Sequence, residues 1–125
     1  MFLTNSWYVA ASSHEVECRP FARTILNQPV VLFRQKSGSP VALEDRCCHR
    51  HLPLSLGEVV GDHLICGYHG LRYNSAGQCV NVPGQEAPPP GARVRCYPLL
   101  EKWGWIFIWM GDPDHADEDL LPNWW

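Results

Sequence analysis

The residues that could do chemistry in this chain lie between Arg46 and Tyr73. They are Cys47-x-His49 and, after sixteen intervening residues, Cys66-x-x-His69. Each half offers one thiolate and one imidazole. Two such halves can hold a two-iron, two-sulfide cluster, with both cysteines on one iron and both histidines on the other. The same four side chains could instead close a tetrahedral structural zinc site. Zinc motifs usually pair Cys with Cys and His with His within each half, so the mixed pairing favours the cluster. A third reading, two inert buried thiols and unrelated histidines, accounts poorly for four ligand-type residues at this spacing with glycines beside them. Cys48 is a second thiol next to Cys47, but only Cys47 leaves one residue before His49. Cys47 is therefore taken as the ligand and Cys48 as a non-ligand.

The elements that must bring the two halves together can be read from the intervening residues. Glu58-Val59-Val60 and His63-Leu64-Ile65 flank Gly61-Asp62, and a glycine followed by a polar residue between two short apolar runs signals a type II′ hairpin. Such a hairpin returns the chain to its starting point and sets the Cys66–His69 loop beside the Cys47–His49 loop. Gly67 and Gly70 bracket the second pair, where the absence of a Cβ would let backbone N–H groups approach inorganic sulfide.

The rest of the chain reads as support. Trp7 to Ala11, Phe21 to Leu26, Val30 to Arg34 and Val41 to Asp45 are short β-prone runs; Asn27-Gln28-Pro29 and Ser37-Gly38-Ser39-Pro40 are turn signals, and the last run delivers Cys47. Leu71 to Tyr73 and Cys79 to Val82 flank a hairpin loop over residues 74–78. A Pro-rich excursion from Pro83 to Gly91 is too rich in proline for sheet or helix. Val94 to Leu100 and Trp105 to Met110 form the last expected strand pair, and Trp105 to Trp109, apolar on both faces, is expected at the centre of a sheet as core. Short strands without a long apolar pattern of helical period imply an all-β fold of antiparallel sheets with two ligand loops.

The 125 residues suit one domain with its own core. A net charge of −3 gives no basic face, which argues against nucleic acid as a partner. The N-terminus lacks the pattern of a signal peptide and no run is long enough to span a membrane, so a cytoplasmic location is expected. Six cysteines then read as reduced thiols, with Cys18, Cys48, Cys79 and Cys96 free or buried and outside the ligand set. His14, His51, His63 and His115 read as surface or packing residues. Residues 1–111 are expected to form the domain. Residues 112–125, with Asp114, Asp117, Glu118 and Asp119 and a terminal tryptophan pair, read as an acidic linker or the start of a further domain.

Through NSWYVAA, CCHRHLPLSLG, CGYHGLRYNSAGQCVNVPG and WGWIFIWMGDP the whole chain resembles the N-terminal Rieske domain of the ring-hydroxylating and O-demethylating non-haem iron oxygenases, the group that includes vanillate O-demethylase and dicamba monooxygenase. It departs at Cys48, where that family commonly has Pro, and at His51. The resemblance implies a Rieske 2Fe-2S cluster on Cys47, His49, Cys66 and His69. It also implies a mononuclear non-haem Fe(II), on two His and a carboxylate, in a separate catalytic domain acting on an aromatic acid. Beyond His69 this chain has only His115, so that second site, and with it any catalytic residue of the oxygen chemistry, is not expected here. The family further implies a homotrimer in which one subunit's cluster serves the neighbour's iron, and a flavin- and ferredoxin-type reductase as electron donor. A stand-alone Rieske ferredoxin is the alternative function, and a zinc-binding module a weaker one.

Two ferric ions, two sulfides and two thiolates sum to zero charge, whereas four thiolates would give minus two, so neutral imidazoles ease reduction. In the family the His-bound iron lies outermost, which makes His69 the expected electron exit. The Tyr73 hydroxyl and loop N–H groups, Gly67 and Gly70 among them, are the expected hydrogen-bonding support for sulfur. Respiratory Rieske proteins carry a disulfide clamp and a Ser donor at positions that correspond to Leu52, Tyr68 and Leu71. With both absent, a potential at the low end of the Rieske range is expected.

Overall fold

The computed structural model describes residues 5–48, 52–67 and 70–120. Among them every regular element is a strand or a single 3-10 turn, and the strands form three antiparallel sheets. The all-β expectation holds. The first sheet joins β1 (Ser6–Ser12), β10 (Trp105–Met110) and β9 (Leu99–Lys102), in the order β1-β10-β9. The second is β2-β3-β4, from Phe21–Ile25, Gln28–Arg34 and Pro40–Glu44. The third is β5-β6-β7-β8, from Glu58–Val60, His63–Ile65, Arg72–Tyr73 and Cys79–Asn81.

β10 is the central strand of its sheet, as its two apolar faces require. Ile106, Ile108 and Met110 enter a core with Val30, Leu32 and Ala42 of the second sheet. On the other face Trp109 is buried and meets Trp7 edge-on, with ring centroids 5.2 Å apart. Trp105 departs from the core expectation and is exposed, because it sits at the β1 end of the ladder opposite Ser12.

One turn and one strand differ from the sequence reading. The β2–β3 hairpin turns on Leu26 and Asn27, both at positive φ (50° and 64°), and not on Asn27-Gln28-Pro29. A two-residue turn with positive φ at both positions matches the strand twist, and its tightness pulls Gln28 and Pro29 into β3. Pro29 tolerates the strand because its carbonyl is the group in use, accepting the Asp45 N–H at 3.0 Å. The stretch from Val94 to Leu100 is a strand only from Leu99. Before it, the chain alternates partners: Val94 N–H to Gly77 C=O, Glu44 N–H to Arg95 C=O, and Tyr97 N–H to Ala42 C=O. Pro98 has no N–H to continue a ladder, so residues 93–97 stitch β4 to the 74–78 loop instead. The Gly61-Asp62 hairpin forms as expected: Val60 pairs with His63, and Gly61 alone of the two turn residues has positive φ, at 62°.

Among the described residues no helix is long and apolar enough to cross a membrane.

Candidate metal centre

β4 and the β5–β6 hairpin position the two Cys-bearing loops. β4 ends at Glu44, and after two intervening residues Cys47 opens the first loop. The Cys47 N–H donates to the Leu52 carbonyl at 2.7 Å. β6 ends at Ile65, and Cys66 opens the second loop with the same bond, its N–H donating to the Leu71 carbonyl at 2.8 Å. Both loops are thus six-residue excursions from Cys to Leu, closed at the neck by one hydrogen bond spanning the same five-residue interval. The Gly70 N–H adds a second bond inside the loop, to the Cys66 carbonyl at 3.0 Å. A histidine falls inside each excursion, but His49 and His69, together with Arg50, His51 and Tyr68, lie outside the described residues.

The second loop is locked by backbone contact against the segment that follows the first. Gly57 follows a 3-10 turn, Leu54–Leu56, and a Cβ at Gly57 would stand 1.9 Å from the Ile65 carbonyl oxygen. A Cβ on Gly67 would stand 2.9 Å from the Leu56 carbonyl oxygen. Only glycine permits both approaches. Gly67 thus serves loop-to-loop packing, a role the sequence did not suggest, while Gly70 takes the positive φ, 73°, that its turn needs. A buried carboxylate braces the first loop: Asp45 accepts the Ser55 N–H and the Ser55 hydroxyl, each at 2.7 Å. Nothing in the spacing of Asp45 and Ser55 announces this pair.

Cys47 and Cys66 are both buried, in one cluster with Leu54, Leu64, Leu71, Cys79 and Tyr73. Tyr73 is fully buried, and its hydroxyl oxygen lies 3.3 Å from Cys47 Sγ and 3.1 Å from Cys48 Sγ while accepting the Cys48 N–H at 3.1 Å. Burial, and then its bonds to the two cysteines, push the phenol pKa far up, so the group stays a neutral O–H. A neutral O–H beside Cys47 suits a thiolate there, which would accept the proton. Burial also raises the Cys79 thiol, whose S–H is directed at the Asn81 carbonyl at 3.6 Å. Cys18 and Cys48 are exposed, Cys96 is half-buried with its thiol raised by burial, and all are free. His63 packs with its Nδ1 3.3 Å from Arg72, and His14 and His115 are exposed on single 3-10 turns.

Two loops of equal length, each with a buried cysteine at its base and a candidate histidine, His49 or His69, in its span, fit the mixed ligand set. A profile of the Rieske [2Fe-2S] domain matches residues 6–98. The chain belongs to the Rieske [2Fe-2S] domain family. The match runs from β1 through both Cys-bearing loops to Pro98, and this Rieske domain has solved counterparts. It is similar to the crystal structure of dicamba monooxygenase with non-heme iron and dicamba, with TM-score 0.94 and 44% identity over 98% of this chain and 38% of that one. The toluene-4-sulfonate monooxygenase system iron-sulfur subunit TsaM1 of Comamonas testosteroni is 47% identical over all of this chain. The dicamba O-demethylase oxygenase component of Stenotrophomonas maltophilia is 46% identical over 98% of it. The chain spans only 37% and 36% of the length of these two relatives.

Proposed function

We propose that this chain relays single electrons as the Rieske part of an aromatic-acid oxygenase or O-demethylase, through a 2Fe-2S cluster held by Cys47, His49, Cys66 and His69. The twin loops carry the reading: two excursions of equal length, each opening on a buried cysteine, with His49 and His51 in the first and His69 in the second. When bound, the cluster supplies a one-electron couple. The chain's own residues do the rest. Asp45 and Ser55 hold the first loop, Gly57 and Gly67 let the loops touch, and the apolar wall of Leu54, Leu64 and Leu71 keeps water from the cysteines. The Tyr73 hydroxyl stands within hydrogen-bond reach of the sulfurs of Cys47 and Cys48.

The similarity to longer oxygenase components supports placing the mononuclear Fe(II) and the aromatic substrate in a part of the system beyond these residues. It also supports a flavin- and ferredoxin-type reductase as donor, a homotrimer with His69 as the electron exit, and a cytoplasmic setting. The proposed domain boundary is Gly111, the residue after the end of β10. Beyond it residues 112–120 fold back on the first sheet, through Trp109 Nε1–H to the Asp112 carbonyl, Trp7 Nε1–H to the Asp117 carbonyl (2.8 Å each), and a Lys102–Glu118 ion pair.

Metal and sulfide analysis of the purified chain, with electron paramagnetic resonance after dithionite reduction, tests the ligand reading. Two irons and two acid-labile sulfides per chain with a Rieske-type spectrum are expected. Stoichiometric zinc without iron would overturn it.

A further inference from the structure

The Tyr73 hydroxyl has one proton and two sulfurs within reach. Cys48 Sγ is at 3.1 Å and Cys47 Sγ at 3.3 Å, and the Cys48 N–H already occupies one lone pair of the oxygen at 3.1 Å. The tyrosine is fully buried and its ring is packed in the core, so the hydroxyl cannot turn away from this trio. We propose that Cys48 acts as a positioning residue for the redox site, by drawing the Tyr73 proton away from the Cys47 sulfur and so holding the reduction potential down. This rests on the assignment of Cys47, and not Cys48, as the ligand.

The sign follows from how the proton divides. A sulfur that gains electron density on reduction becomes a better acceptor, and bonds to charged acceptors are stronger than those to neutral ones. In the reduced protein the proton therefore belongs to Cys47. In the oxidised protein Cys47 is the weaker acceptor, and the sulfur of Cys48, the nearer of the two, offers the proton an alternative. That alternative stabilises the oxidised protein more than the reduced one. Removing it leaves the proton on Cys47 in both states, and reduction becomes easier. Cys48 is exposed and outside the buried cluster, so its side chain can be cut back without opening the core.

The experiment is a double-mutant cycle on the cluster-loaded chain: wild type, Cys48→Ala, Tyr73→Phe and the double variant, each measured by protein-film voltammetry. Cys48→Ala should raise the potential, favouring the reduced form by about two- to tenfold, or roughly 18 to 59 mV for a one-electron couple. In the Tyr73→Phe background the same substitution should leave the potential where it was. An unchanged or lower potential in Cys48→Ala, or an equal rise without the tyrosine hydroxyl, would overturn the proposal. Iron and sulfide content separates this from a failure of the ligand assignment: loss of the cluster in Cys48→Ala would mean that Cys48 is the ligand, and both readings would fall together.

Discussion

Tyr73 shows how a single hydroxyl can govern the behaviour of a metal site without touching the metal. It is buried, neutral and within 3.3 Å of the Cys47 sulfur. A hydrogen bond to a charged acceptor is worth about 1.5 to 3 kcal/mol, and about 1.4 kcal/mol corresponds to 59 mV. Tyr73→Phe should therefore lower the potential, by at most roughly 60 to 130 mV. Voltammetry of the variant checks this, and no change would mean that the hydroxyl gives its proton elsewhere in both states. Leu71 makes a contrasting case. A serine there could bring a hydroxyl towards the site and raise the potential, but Leu71 is buried in the core that holds both cysteines. Trading a buried leucine for a small residue typically costs about 2 to 5 kcal/mol. Leu71→Ser should therefore show a lower denaturation midpoint whatever its potential does, and a midpoint equal to wild type would remove Leu71 from the structural core of the site. The histidines are tested separately: His49→Cys or His69→Cys should lose the Rieske paramagnetic resonance signature, since a third thiolate adds negative charge to the cluster. An unchanged spectrum would strike that histidine from the ligand set.

Between elements, what holds the frame is a small number of polar ties across sheet boundaries. Arg34 of β3 donates from Nε to the Val16 carbonyl at 2.9 Å and from its terminal nitrogens to the Ser13 and Gly38 carbonyls and to Glu101 of β9. One guanidinium thus joins the second sheet to the first. The pair shifts both partners in the expected directions: the hydrogen bond to Glu101 raises Arg34, and the bond from Arg34 holds the Glu101 carboxyl below its usual range. A carboxyl with a depressed folded-state pKa adds stability above its unfolded pKa, near 4.3, and that stability is lost as pH falls through the lower folded value. Both side chains are partly solvated, so the ion pair itself is worth no more than about 1 kcal/mol. Glu101→Gln should cost little at neutral pH and flatten the acid limb of the stability curve below about pH 4.3, measured by urea denaturation across pH. An acid limb as steep as wild type would place the titrating group elsewhere. Strand existence and the Gly61-Asp62 turn were legible because local propensity and turn chemistry decide them. The Leu26-Asn27 turn was not, since leucine at positive φ is set by hairpin register and not by preference. Neither was the bridging path of residues 93–97, whose partners lie on β4 and on the 74–78 loop.

For the molecule as a whole, the four candidate ligands and the Tyr73 hydroxyl beside Cys47 could be named from the sequence, while most of what supports them could not. The Asp45–Ser55 brace, the Gly57 contact and the shared Tyr73 proton all depend on which loops meet in space, and no periodicity encodes that. The same whole-chain view limits what this domain can do. Oxygen activation at a mononuclear non-haem iron needs two histidines and a carboxylate converging on one open site. Apart from His49 and His69, the chain has His14, His51, His63 and His115. His63 is engaged with Arg72, His14 and His115 lie on exposed turns, and among the described residues no group of three or more His, Cys, Asp or Glu could hold a metal ion. The 125-residue chain should therefore bind two irons and no third. It should take up electrons from dithionite or a reductase, yet form no demethylated or hydroxylated product from an aromatic acid, even with added Fe(II). Iron titration after cluster assembly, paired with single-turnover product analysis, decides the matter: a third tightly bound iron together with stoichiometric product would mean that the oxygen chemistry resides in these residues after all.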